Sequence, residues 1–447
     1  MISLPGQRDL IPETFLSSAT TGHLAELAGC LDEPVSKTFK RGTHRTVAPD
    51  DTLARIESKA RQIGITRLGN VTGLDRIGIP VTVAVRPNSR SFSVSQGKGL
   101  GLSQARASAL MEAIELFHGE DLSDRTLVTS FRELSVKARV VPPCSLCGTG
   151  VPLPDQAEIG WIEGYDLLGR EPCWVPWEVV HTDYTLPTSH SGAHFLSGTN
   201  GLAAGNHLAE AVSSAICELV ERDAVALWHA LAVRERSHRR LDTGSIDDEA
   251  CRGLLDLYEA ADIAVRLWDV TSDIGIPAFI CDIPAIADDA SGGMRRFRGA
   301  GCHPDRGVAL ARAMTEAAQI RLTYIAGIRD DLPPSDYAES EQEKLGAALI
   351  DAMSQAADAR SFRNVPSFDT DDVTADVRWQ LQRLRAIGIE SVVAVDLTRP
   401  DMGIPVVRLV IPGLEWDCTH RDYHPGPRAQ RARAQHARAQ RAGGRAA

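Results

Sequence analysis

"VRLWDVTSDIGIPAFICDI" spans Val265–Ile283 and divides into two β-type runs, separated by a polar turn and a Gly-Ile-Pro triplet. The same plan appears in "ITRLGNVTGLDRIGIPVTVAV" (Ile65–Val85) and "VVAVDLTRPDMGIPVVRLVI" (Val392–Ile411). Proline at the start of a strand removes no ladder bond that the strand needs. Each unit follows a stretch with helical character: Asp51–Gln62, Asp247–Ala261 and Asp372–Ala386. A shorter relative, "GWIEGYDLLGREPCWVPWEVV" (Gly160–Val180), has the two runs but no helix before them. The connections are too short for parallel crossovers, so the pairs are expected to be antiparallel hairpins. The predicted class is α+β, with helices packed on largely antiparallel sheet.

A second repeat is interleaved with the first. "SALMEAIE" (Ser108–Glu115) and "SAICELVE" (Ser214–Glu221) share a serine, a glutamate four residues on, and another three beyond that. "RAMTEAAQ" (Arg312–Gln319) keeps the first glutamate as Glu316, but has Arg312 for the serine and Gln319 for the last glutamate. Each copy follows a glycine-bearing segment: "SQGKGLGLS", "SGTNGLAAGN" and "GAGCHPDRG". In "LAEAVSSAICELVERDAV" (Leu208–Val225), Ala211, Ala215 and Leu219 mark an apolar stripe, and Glu210, Glu218 and Glu221 lie beside it.

Paired carboxylates beside an apolar face repel one another and are costly to desolvate unless a cation neutralises them. Oxygen ligands on two related helices suit a hard divalent cation, and magnesium brings substrate phosphates with it. Arg312 and Arg321 add positive charge, and arginine is a natural partner of phosphate oxygens. No phosphate loop of the G-x-x-x-x-G-K-[ST] type is present, so a nucleotide would be held in another way.

Composition sets the outer bounds. The 447 residues are 43% hydrophobic and 24% charged, with no apolar run long enough to span a membrane. The first residues, "MISLPGQRDLIPETFLSS", lack the basic start and apolar stretch of a signal peptide. Nine cysteines scattered through a long chain suggest no disulfide framework, and a cytoplasmic location is expected. The formal charge of -11 argues against a nucleic-acid-binding core. The arginine-rich end, "HPGPRAQRARAQHARAQRAGGRAA" (residues 424–447), has no apolar face to dock and is expected to be unstructured. Cys144 and Cys147 form a C-x-x-C without a second pair, which fits an ordinary turn rather than a zinc site. His118, Trp228 and His229 are read as packing or capping residues, and Asp223 as a group that orients Arg222.

The chain resembles YcaO-domain proteins, ATP-dependent enzymes that modify peptide backbone amides. The resemblance runs from about Thr43 to Glu415. It rests on "GITRLGNVTGLDRIGIP", "SQGKGLGLSQARASALMEAIE", "GTNGLAAGNHLAEAVSSAICELVERDA", "RAMTEAAQIR" and "IPVVRLVIPGLE". It implies magnesium on Glu112, Glu115, Glu218 and Glu221. It implies ATP contacts from Ser108, Asn206, Glu210, Arg222, Arg312, Glu316, Gln319 and Arg321, with Arg45 and Thr52 upstream. One departure is Leu116, where the family motif has arginine. The implied organisation is an extension over 1–42, a YcaO domain over 43–420 and a tail over 421–447.

The implied reaction is phosphorylation of an amide oxygen by ATP, followed by attack at the amide carbon. A Cys, Ser or Thr side chain would give an azoline; external sulfide would give a thioamide. Azoline-forming members commonly end in a P-x-P-x-P segment, which this chain lacks. Its N-terminal segment and "MEAIEL" look more like members that form thioamides with a TfuA-type partner. The expected partners are a precursor peptide or protein substrate, a TfuA-like protein and a sulfide donor, with a homodimer left open. Azoline formation is the alternative, as is an inert docking protein or an accessory to methylthio transfer on a ribosomal protein. Retention of all four glutamates counts against inertness.

Overall fold

The Gly-Ile-Pro units owe their shared form to one backbone requirement. Gly78, Gly275 and Gly403 have φ of +79°, +75° and +57°, a region open to glycine and strained for other residues. The proline that follows then sets the extended entry into a strand.

The computed structural model describes residues 21–185, 194–284, 296–329, 359–420 and 422–434. The N-terminal eighteen-residue stretch read for a signal peptide and the last part of the tail lie outside them. In chain order come α1 (Thr21–Gly29), α2 (Pro49–Gln62), β1 (Arg67–Asn70), β2 (Val81–Val85), β3 (Val94–Lys98), α3 (Leu102–His118), β4 (Leu127–Ser130) and α4 (Phe131–Leu134). Next are β5 (Glu158–Asp166), β6 (Glu171–Pro176), β7 (Leu202–Ala204), α5 (Leu208–Ala230), α6 (Val233–Ser237), β8 (Leu241–Asp242), α7 (Glu249–Ala260) and β9 (Arg266–Asp269). The rest are β10 (Ala278–Ile283), β11 (Phe297–Cys302), α8 (Arg306–Ala326), β12 (Arg360–Ser361), α9 (Val373–Ala386), β13 (Val393–Asp396) and β14 (Val406–Val410).

Local chemistry sets the helix starts. Pro49 opens α2 with Asp50 and Asp51 in its first turn, where the helix dipole favours negative charge. Asp248 and Asp372 cap α7 and α9 by accepting the backbone N–H of Cys251 and Thr374.

All three Gly-Ile-Pro units are antiparallel hairpins: β1–β2, β9–β10 and β13–β14. The first two grow into three-stranded sheets, ordered β1-β2-β3 and β11-β10-β9. The third joins a six-stranded sheet ordered β4-β5-β13-β14-β7, with β6 paired to β5. Every pair in these sheets is antiparallel; β12–β8 is a short parallel bridge of strands. No helix among the described residues is long and apolar enough to cross a membrane.

The glycines before the carboxylate helices let strand backbone lie directly on helix backbone. A Cβ on Gly299 would stand 2.3 Å from the Ala313 carbonyl oxygen and the Ala317 nitrogen; one on Gly97 would stand 2.1 Å from the matching atoms of Ala105 and Ala109. β3 on α3 and β11 on α8 are therefore the same packing unit used twice. Gly299→Ala must push β11 off α8 and is expected to cost about 1–3 kcal/mol. Gly253→Ala, exposed within α7 with open space around it, should stabilise by about 0.5–1 kcal/mol. Urea unfolding of the two variants checks the contrast.

The expectation of an unstructured tail from residue 421 is corrected for its first part. Residues 427–434 are helical. The anchor is ionic rather than apolar: Arg428, only 7% exposed, donates to both carboxylate oxygens of Asp223 at 2.8 and 2.9 Å and also pairs with Asp273. Glu415 accepts the backbone N–H groups of Gly426 and Ala429. Asp223 therefore serves Arg428 and does not orient Arg222, because adjacent helix positions point about 100° apart.

Candidate functional site

Three helices, each packed on its strand, face one cavity of about 1170 Å³. From α3 come Ser108, Glu112 and Glu115; from α5 come Glu210, Ser214, Glu218, Glu221 and Arg222; from α8 come Arg312, Glu316 and Gln319. Their spacings of three and four residues keep each set on one helix face. Arg45, Thr52 and Asn206 also line the cavity. All four glutamates of the duplicated motif are thus brought together.

Arg321 is the exception and a correction. It lies outside the cavity lining, pairs with Asp75 at 3.3 Å and stacks over the Phe297 ring. It follows Gln319 by two residues, about 200° around the helix, and so faces the other side.

One end of the cavity is a closed polar network. Arg45 donates to Glu210 Oε1 at 2.9 Å, while Thr46 Oγ1 and the Asn206 N–H donate to Oε2 at 2.9 and 3.1 Å. Asn206 Oδ1 in turn accepts from Thr52 and Arg55. These contacts tie the N-terminal segment to the start of α5.

The centre is acidic and under-neutralised. Burial pushes Glu112 and Glu221 up to about 7, and raises Glu115 and Glu218 as well. Partial compensation comes from an Ala204 N–H donated to Glu115 at 2.7 Å, a Gly201 N–H donated to Glu218 at 3.1 Å, and Arg222 at 3.3 Å from Glu221. Glu316 behaves differently. Burial would raise it, but Lys98, bonded at 2.6 Å, and Arg222 hold its carboxyl below the ordinary value.

That contrast tests whether a divalent cation fits. Four carboxylates with raised proton affinity form an oxygen-rich set lacking full countercharge, which a hard cation supplies. Around them Arg222 Nε, Arg312 Nε and Gln319 Oε1 are buried without hydrogen-bond partners, ready for phosphate oxygens or a nucleotide donor. The residues fit magnesium and a nucleotide together.

Several contributors escaped the sequence reading. Lys98 sits in the first glycine segment, where its pairing with Glu316 across 218 residues had no local signal. Lys98 and Arg329 oppose the upward shift of Glu112, and Arg408, fully buried on β14, opposes that of Glu218. His229, read as a packing residue, lines the cavity, whereas His118 donates its Nδ1–H to the Ile114 carbonyl in the core. Cys144 and Cys147 lie outside the cavity lining, and burial pushes the Cys147 thiol up to about 12, far from a reactive thiolate.

The arrangement defines an enzyme that handles a nucleotide with a divalent metal. The family model described as YcaO cyclodehydratase, ATP- and Mg2+-binding, matches residues 96–415. The chain therefore belongs to the YcaO family, whose cofactors are ATP and Mg2+. An uncharacterised protein from the tfuA 3′ region of Rhizobium leguminosarum bv. trifolii is 36% identical over 86% of this chain and 92% of its own length. An uncharacterised protein of Methanothermobacter thermautotrophicus is 34% identical over 83% of this chain and 95% of its own.

Among solved structures, YcaO from Methanopyrus kandleri bound with AMPPCP and Mg2+ superposes with TM-score 0.68. It is 23% identical and covers 88% of this chain and 98% of that one. A heterocyclase in complex with substrate and cofactor gives TM-score 0.68 at 25% identity, over 86% of this chain. This chain spans only 54% of that heterocyclase.

Proposed function

We propose that the protein uses ATP to phosphorylate a backbone amide oxygen and that external sulfide then replaces the oxygen, leaving a thioamide. The observation that carries the choice of nucleophile is the similarity to a protein from a tfuA 3′ region. A TfuA-like protein, a sulfide donor and a ribosomally made peptide or protein are the proposed partners, in the cytoplasm. The unit assigned to the reaction is residues 43–420.

In this reading Glu112, Glu115, Glu218 and Glu221 hold magnesium, which supplies charge neutralisation along the phosphoryl-transfer path. Arg222 and Arg312 orient phosphate oxygens, and Lys98 is held in place by its ion pair with Glu316. Arg45, Thr52, Asn206, Glu210, Ser108 and Gln319 position the rest of the nucleotide. The amide oxygen takes the γ-phosphoryl group, which turns it into a good leaving group. Hydrosulfide then adds at carbon, the C–O bond breaks, and hydrogen phosphate departs as C=S forms.

Mass spectrometry separates the outcomes after incubation with ATP, Mg2+, sulfide, peptide and TfuA-like partner. The expected product gains the sulfur-for-oxygen difference and depends on sulfide. A sulfide-independent loss of water at a Cys, Ser or Thr would assign the protein to azoline formation instead.

A further inference from the structure

The cavity continues well past the carboxylates. Along α5, Glu210 precedes Glu218 by about 12 Å of helix, and His229 follows it by about 16 Å. Of the residues assigned to the nucleotide, Arg45, Thr52 and Asn206 are tied to Glu210 at one end, and Arg222 beside Glu221 is the farthest along α5. The His229 end is therefore left for the second substrate, and at about 1170 Å³ the cavity exceeds the roughly 300–1,000 Å³ of a single small-molecule site.

This second end is cationic. Arg236 and Arg298 stack on the same Trp228 ring, at 5.2 and 5.6 Å from its centroid. Both line the cavity, and the Nε of each is buried without a hydrogen-bond partner. Among the described residues Arg236 has no carboxylate within ion-pair distance. Arg298 reaches Asp282 only at 3.6 Å, and that fully buried carboxylate is shared with Arg296 and Arg266. Burial, and then the neighbouring Arg298, lower the proton affinity of Arg236. His229 is driven down to about 3 by burial and by these two arginines, so it is neutral and its Nε2 can accept from Arg298 at 3.4 Å. Among the described residues the countercharge at this end is Asp282, shared by three arginines, and Asp417, which also lines the cavity and acts on His229; two guanidinium groups held side by side on an indole with that much opposing charge make a site for an anion.

We propose that Arg236 and Arg298 form a substrate subsite that receives a carboxylate of the polypeptide, positioning an amide next to an acidic group at the phosphoryl-transfer centre. The inference rests on the assignment of the nucleotide to the Glu210 end and of a polypeptide as second substrate. The carboxylate belongs to an aspartate or glutamate side chain or to a chain terminus. Either chemistry suits the paired guanidiniums.

Fluorescein-labelled short Gly/Ser peptides provide the probe: one with a central Glu and capped ends, one with Gln there, and one neutral peptide with a free C-terminal carboxylate. Fluorescence anisotropy with the full chain and Mg2+–AMPPCP is expected to show the Glu or the free-terminus peptide binding at least about tenfold tighter than the capped Gln peptide. Arg236→Gln and Arg298→Gln should each erase most of that preference while leaving affinity for the Gln peptide in place, and Arg236→Lys should recover part of it. A purely structural defect would weaken all the peptides together. Equal binding of acidic and neutral peptides by the unaltered protein, or a preference that survives in both Gln variants, overturns the subsite. Acid preference without any thioamide product would leave the subsite standing and remove the proposed reaction instead.

Discussion

Glu218→Gln is expected to lower ATP turnover by at least about a hundredfold while the protein stays folded, because a charge proposed to hold magnesium is lost from the centre of the cavity. The same holds for Glu221→Gln. Stability should move the opposite way. In the metal-free protein, carboxylates with raised proton affinity oppose folding when ionised, so removing one relieves repulsion. The sign of the pH dependence follows from the same shifts. Glu112 and Glu221 are pushed to about 7 in the folded state, above their ordinary value of 4.5, so the folded chain binds more protons between those limits. Metal-free stability therefore falls as pH rises through that window and levels off above it. Thermal unfolding at pH 6 and pH 8 reads this directly: the apo protein should melt lower at pH 8, and Mg2+ with ATP should raise the midpoint more at pH 8 than at pH 6. A Glu218→Gln enzyme with full turnover would remove Glu218 from the site.

Arg428→Ala carries the second large effect. Asp223 is fully buried and Arg428 nearly so, and the two share a bidentate contact. Deleting the arginine strands a buried carboxylate, which costs about 3–5 kcal/mol. Asp223→Asn combined with Arg428→Met should cost much less, because no charge is left unpaired. The pair also divides the tail. Truncation after Ala434 keeps the anchor, and both ATP turnover and stability are expected to survive it. Truncation after His424 removes Arg428 and should destabilise like the point variant. Complete loss of ATP turnover in a folded chain ending at Ala434 would show that the final residues reach the active site.

The features legible in the sequence are those encoded over short distances. A positive-φ glycine followed by Ile-Pro specifies a hairpin locally, and the same triplet does so in β1–β2, β9–β10 and β13–β14. The S-x-x-x-E-x-x-E spacing likewise fixes a helix face, and the faces of α3 and α5 do converge. Sheet order was not legible: β5 pairs with β13 across more than two hundred residues, and neither strand carries a mark of its partner. Charge pairing fails for the same reason. Nothing near Asp223 points to Arg428, and nothing near Lys98 points to Glu316. Arg321 is a different kind of miss. It stands nine residues after Arg312, about two and a half turns, so helical periodicity alone places it on the opposite face.

The central claim is that two glutamate pairs from related helices make one magnesium–nucleotide site. A crystal structure of the full chain with AMPPCP and Mg2+ tests it most directly. The account predicts metal ions bridging phosphate oxygens to Glu112 and Glu115 on α3 and to Glu218 and Glu221 on α5, with Arg222 and Arg312 on the phosphates. A nucleotide bound elsewhere, or metal held without either glutamate pair, would contradict it.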